Sequence, residues 1–103
     1  MGRRASRQLT YAGPVSLTQL EYFVAVAEEG SVSRAARRCA ISQPPLTRHV
    51  RALEAELDAR LFWRRPHGME LTEEGSRLLE HAREVLAMVR SPRAVVRRCN
   101  SMK

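Results

Sequence analysis

Leu17, Leu20, Phe23, Val24 and Ala27 recur at spacings of one, three and four, the mark of a helix with one apolar face. Gly30, just after Glu29, is the residue type that closes such a helix. A second, shorter helix is predicted from Val32, Ala35, Ala36 and Cys39, with Ser31 as its N-cap. The turn Ala40-Ile41-Ser42 leads into a third helix with the stripe Leu46, Val50, Leu53 and Leu57. Small Ala35 and Ala36 facing that stripe let the two helices approach closely, as a helix-turn-helix requires. Next comes the β-prone run Leu61-Phe62-Trp63, then turn chemistry over Arg64-Arg65-Pro66-His67-Gly68, then the returning Met69-Glu70-Leu71. This predicts a hairpin wing.

Thr72 is the expected N-cap of a last helix, with Glu73 and Glu74 at the positive end of its dipole. Its apolar positions are Leu78, Leu79, Ala82, Val85, Leu86 and Val89. A stripe that wide covers the domain and also meets a partner chain, so all six are assigned to dimerisation. Pro92 is expected to stop this helix near Arg90. The expected fold is mainly α: a winged helix-turn-helix with a three-helix core, a short β-hairpin wing and a C-terminal linker or dimerisation helix. Residues 1–14 read as a flexible basic arm, 15–71 as the winged helix-turn-helix, 72–91 as the linker helix, and 92–103 as an irregular basic tail.

Composition narrows the partner. The 103 residues suit one small domain, and 44% hydrophobic content suffices for its core. Lys+Arg is 18 against 11 for Asp+Glu, a net charge of +7 that points to a polyanion, most simply nucleic acid. No stretch joins a basic face to large aromatics, and the apolar runs are too short for a membrane span or signal peptide. Cys39 and Cys99 make neither a disulfide framework nor a zinc site, which fits a cytoplasmic, nucleoid-associated protein. Neither a metal nor a cofactor is expected. Nor is an enzyme: Ser42, His49 and Glu54 share a helix but not a face, and Cys39 has no evident base.

The charges are also segregated. Arg34, Arg37, Arg38, Arg48 and Arg51 fall in an acid-free segment from Gly30 to Leu53, and Arg60, Arg64 and Arg65 in another ending at Met69. That segregation favours an anion-binding surface. The competing explanation, arginine used as generic surface charge, stays open because Lys103 is the only lysine.

The third helix concentrates the candidate chemistry. A serine N-cap normally accepts from backbone N–H groups two or three residues on, but here those residues are Pro44 and Pro45, which have none. The Ser42 hydroxyl and the Gln43 amide are left for an outside ligand, and a phosphate at the positive end of the dipole fits. At 100° per residue, Leu46, Val50, Leu53 and Leu57 cluster within about 60°, while Pro44, Thr47, Arg48 and Arg51 spread over about 100° opposite. Arg grips guanine bidentately, Gln pairs with adenine, and Thr bonds a base or phosphate while touching a thymine methyl. An ordinary solvated face with two arginines would have the same spacing; its place as second helix of a helix-turn-helix favours the reading face.

From Leu17 to about Arg90 the chain resembles the N-terminal DNA-binding region of the LysR-type transcriptional regulators. The matching residues are Leu20, Phe23 to Ser31, Arg34-Ala35-Ala36, Ile41 to Arg48, Leu53-Glu54, Leu57, Arg60-Leu61-Phe62, Arg64, Leu71-Thr72 and Gly75. The resemblance implies a winged helix-turn-helix, a linker helix that pairs antiparallel across a dimer, and recognition of interrupted, often AT-rich palindromes. It places DNA contacts on Gln43, Pro44, Thr47 and Arg48, with Arg51 as an addition. Ser31, Ser33 and Arg34 would touch phosphates, Arg64 (with Arg65 beside it) the backbone, and His67 the minor groove.

The departures from the family pattern carry their own expectations. His67 stands where many relatives have Arg, and is expected to be a weaker minor-groove ligand. Cys39 replaces a leucine, as a small buried thiol. Trp63 stands where an acid is common, its ring packed against Arg64 or Arg65. Asp58 replaces a frequent Gly and is expected to accept a left-handed backbone. Arg3, Arg4 and Arg7 could add phosphate contacts, though disorder of that arm is expected. The effector-binding half of the family has no counterpart in this sequence, so no small-molecule effector site is expected. The chain reads as a DNA-binding fragment or a short relative, and Ser91 to Lys103 suits a truncated or frame-altered gene. The expected function is sequence-specific binding of double-stranded DNA as a dimeric regulator. The alternative is a short interaction protein that dimerises with full-length relatives and modulates them.

Overall fold

The structure, a computed structural model, describes residues 15–90. They form four helices and one hairpin: α1 (Leu17–Glu29), α2 (Val32–Cys39), α3 (Gln43–Leu57), β1 (Phe62–Arg65), β2 (Gly68–Leu71) and α4 (Glu73–Arg90). The expected flexible arm, the Pro92 helix stop and the irregular tail lie outside the described residues.

Local chemistry sets each boundary. Ser16 and Gln19 form a reciprocal capping box at the start of α1, and Gly30 ends it in the left-handed conformation at φ 66°. The Ser31 hydroxyl accepts from the Arg34 N–H at 3.1 Å and caps α2. Asp58 ends α3 with φ 52°, the left-handed backbone expected of it. Thr72 does double work: its hydroxyl donates to the Arg60 carbonyl at 2.7 Å and accepts from the Gly75 N–H at 3.0 Å, joining the first turn of α4 to the base of the wing.

The core forms around α1, which packs against α2, α3, α4 and β2. Phe23 and Phe62 are fully buried with ring centroids 5.4 Å apart, surrounded by Val26, Leu46, Leu53 and Leu61. Ala25 and Val26 are buried as well as the expected stripe, because α1 has neighbours on several sides, while Leu17 and Leu57 at the outer ends of their helices are exposed.

The wing differs from its sequence expectation. Its strands run further, with Phe62 opposite Leu71 and Arg65 opposite Gly68, so Arg64 and Arg65 are strand residues and only Pro66 and His67 turn. Gly68 makes this possible. It adopts φ 148°, and a Cβ there would stand 2.5 Å from the Gly30 carbonyl oxygen. Beside it, the Met69 N–H donates to the same carbonyl at 3.1 Å, which docks the wing on the α1–α2 turn.

The six apolar residues of α4 assigned to dimerisation are not buried alike. Ala82 and Leu86 are 0% and 2% exposed, spent on the core of their own chain. Leu78, Leu79 and Val85 are half-buried against that core, and Val89 stands 45% exposed.

Candidate nucleic-acid interface

Helix α3 buries Leu46, Val50 and Leu53 and turns Ser42, Gln43, Pro44, Arg48 and Arg51 outward, with Thr47 half-buried. The Ser42 hydroxyl caps nothing in the helix, as the two prolines dictate. Gln43, Thr47 and Arg51 border a hollow of about 260 Å³ closed on the far side by Arg64 of β1. Its floor is apolar: Val26, Val32, Leu46, Val50 and Met69. Helix α3 and the wing thus line one concavity together, bringing guanidinium and amide groups beside apolar side chains. Arg51 and Arg64 also border a second hollow of about 450 Å³ with Glu54, Ala59 and Arg60.

The arginines fall into two groups. Arg48, Arg51 and Arg64 form no ion pair with an acid among the described residues. Arg34, Arg38, Arg65, Arg77 and Arg83, by contrast, are held by acids. Arg38 reaches Glu28 at 2.7 Å and Glu29 at 3.3 Å, and Arg83 of α4 reaches the same Glu28 at 2.9 Å. The hydrogen bond from Arg38 holds the Glu28 carboxyl below its usual pKa of 4.5, with Arg83 adding to the effect and partial burial opposing it. Arg34 donates to the Glu29 carbonyl at 2.7 Å and stands 3.8 Å from its carboxylate. Arg65 pairs with Glu70 across the hairpin at 2.9 Å.

The expected contact residues are therefore brought together unevenly. Gln43, Thr47, Arg51 and Arg64 share one hollow, Pro44 and Arg48 extend the exposed side of α3, and His67 is exposed at the wing tip. Ser31 is committed to its cap, Ser33 is half-buried, and Arg34 is oriented by Glu29. Arg65 lies against the Trp63 ring, its guanidinium carbon 5.8 Å from the centroid. The second guanidinium on that ring is Arg60 at 5.5 Å, not Arg64. The reason is strand alternation: Arg64 points with Phe62 to the opposite side of β1.

Sequence reasoning missed Glu54 as a structural carboxylate. Its Oε2 accepts from the Leu61 N–H at 2.8 Å and the Phe62 N–H at 3.4 Å, fixing the entry to the wing. His49 packs edge-on against Tyr22 with centroids 5.0 Å apart, not toward Ser42. Cys39 is half-buried, and burial pushes its thiol pKa up, the opposite of an activated nucleophile. Among the described residues no group of His, Cys, Asp and Glu could hold a metal ion.

Known proteins share this architecture. The family model for bacterial regulatory helix-turn-helix proteins of the lysR family matches residues 17–76. Over 75 residues the chain is 52% identical to the HTH-type transcriptional regulator TfdT of Cupriavidus pinatubonensis, covering 73% of this chain and 33% of that protein. It is 56% identical over 68 residues to ClcR of Pseudomonas putida, covering 66% of this chain and 23% of the relative. The chain thus spans a quarter to a third of these relatives' length. Among solved structures, a CbnR DBD–DNA complex aligns with TM-score 0.73 and 42% identity over 85% of this chain and 99% of the other. A BenM DBD complex with benA site 1 DNA aligns with TM-score 0.77 and 37% identity over 82% and 98%. The matching relatives are transcriptional regulators rather than enzymes. A winged helix-turn-helix with the matched motif across 17–76 leaves one conclusion: the chain belongs to the LysR family of bacterial regulatory helix-turn-helix proteins.

Proposed function

We propose that the chain binds double-stranded DNA sequence-specifically as a dimeric transcriptional regulator, with α3 in the major groove and the wing, residues 64–69, near the minor groove. One observation carries the reading: Arg48, Arg51 and Arg64 lack acidic partners among the described residues, and they stand with Gln43 and Thr47 opposite a buried leucine stripe. Unpaired guanidiniums next to an amide and a hydroxyl match the donor and acceptor edges of base pairs, with phosphates close by. Ser42 and Pro44 open the helix toward the duplex, Ser31, Ser33 and Arg34 support it from α2, and Arg65 and His67 extend the wing. The solved DNA complexes of CbnR and BenM domains support the same partner. No described helix is long and apolar enough to cross a membrane, and the protein acts in the cytoplasm on promoter or operator DNA.

Residues 15–71 serve as the reading unit and 72–91 as the linker helix. Dimerisation runs through the apolar positions of α4 that keep exposed surface: half-buried Leu78, Leu79 and Val85 and exposed Val89. Selection of bound sequences from a random duplex pool tests both claims. An enriched motif with two-fold symmetry supports them and reports the half-site spacing; a pool without enrichment removes sequence-specific readout. A second reading rests on exposed Val89, a surface for pairing with a longer relative and modulating it. Light scattering of the chain alone and mixed with such a relative decides it: mixed dimers support it, and a monomer in both samples rejects it along with homodimerisation.

A further inference from the structure

Trp63 is not used by the reading face. It is 44% exposed and lies opposite Glu70 in the hairpin. Two guanidiniums rest on its ring, Arg60 at 5.5 Å and Arg65 at 5.8 Å from the centroid. They differ in what else holds them. Arg65 is tied to Glu70 through its Nε. Arg60 forms no ion pair with an acid among the described residues, and it borders the 450 Å³ hollow together with Arg51 and Arg64. The one carboxylate there, Glu54, has an oxygen committed to the Leu61 and Phe62 backbone. That hollow joins the one beside Gln43 and Thr47 through the shared Arg51 and Arg64.

Three arginines and a single carboxylate, Glu54, border this opening, so its charge is positive in excess and favours an anion. A guanidinium stacked on an aromatic ring keeps its N–H edge free for acceptors while its flat face is held. We propose that Arg60, positioned by Trp63, joins Arg51 and Arg64 in a clamp for a backbone phosphate of the duplex, extending the contact surface beyond the C-terminal end of α3. Trp63 is a positioning residue here and touches no nucleotide. The proposal rests on the duplex-binding reading above.

Fluorescence anisotropy of the full chain on a selected duplex and a scrambled one, between about 50 and 200 mM salt, tests it. Arg60→Gln should make the salt slope shallower by about 0.9, which is about a 3.5-fold smaller affinity loss over that range, and equally on both duplexes. Trp63→Leu should move the slope in the same direction, Trp63→Phe should restore it, and Trp63→Leu should add nothing in the Arg60→Gln background. Both side chains are exposed, so unfolding midpoints should hold, and they serve as the folding control. If Arg64→Gln flattens the slope and Arg60→Gln leaves it unchanged, the clamp is wrong while duplex binding stands. If the wild-type chain binds neither duplex, it is the duplex reading that fails.

Discussion

Arginine does two different jobs on two sides of this molecule. Where α1 ends, Glu28 and Glu29 gather Arg34, Arg38 and Arg83 from α2 and α4, so guanidiniums there fasten helices together. Along α3 and the inner side of the wing, Arg48, Arg51 and Arg64 have no acid to hold them among the described residues, and the nearby Glu54 is turned to backbone N–H groups instead. The serines repeat the contrast: Ser31 caps α2, and Ser42, one helix later, caps nothing. Residue type alone does not mark a ligand-binding group. In the function proposed above, what sets the α3 and wing arginines apart is that they lack an acidic partner among the described residues and stand together around one hollow.

The sharpest way to break this contrast is to remove the front's single structural acid. Glu54→Ala should cost about 1.5–3 kcal/mol of stability in urea unfolding, because two backbone donors lose a charged acceptor. Arg48→Ala should lower affinity for a selected duplex by about 1–3 kcal/mol and relax base preference, with stability unchanged within about 0.5 kcal/mol; equal losses on selected and random duplexes would remove direct readout. For the serines, Ser31→Ala should cost about 1 kcal/mol of stability. Ser42→Ala should leave the unfolding midpoint in place and weaken duplex binding, which calorimetry paired with anisotropy separates. The smallest effect belongs to Glu28→Gln. Its partners are solvated, so the loss should stay below about 1 kcal/mol at pH 7 and leave duplex affinity alone. Because the folded-state pKa of Glu28 is depressed below 4.5, its contribution is present above that value and fades as pH falls through the folded pKa. Unfolding curves of wild type and variant should converge in acid; a constant gap across pH would detach the effect from this carboxylate.

The helices were legible because apolar residues at helical spacing leave few alternatives, and the caps because Ser31, Thr72 and Gly30 each have a short-range partner. Ser42 was legible for the opposite reason, since two prolines remove its donors within the same turn. What stayed hidden depends on distance in the chain. The Glu28–Arg83 pair joins residues 55 positions apart, and nothing local foretells it. Ala82 and Leu86 looked available to a second chain because a stripe does not say which neighbour it faces. The wing was read too short because arginines at Arg64 and Arg65 resemble loop, while their strand pairing follows from where Gly68 lands on Gly30. The exposed residues of α3 could be named in advance; that Arg51 and Arg64 share a hollow with Arg60 could not.

The contact between Gly68 and the Gly30 carbonyl sets how far the hairpin can sway. Pinned next to its tip, the hairpin overhangs its support by only Pro66 and His67. So short a cantilever has little conformational freedom to lose in the duplex docking proposed for it. A longer side chain at residue 68 would pry the hairpin off its seat and change the span between tip and α3, so the stiffness of the whole calliper depends on a single missing methyl group.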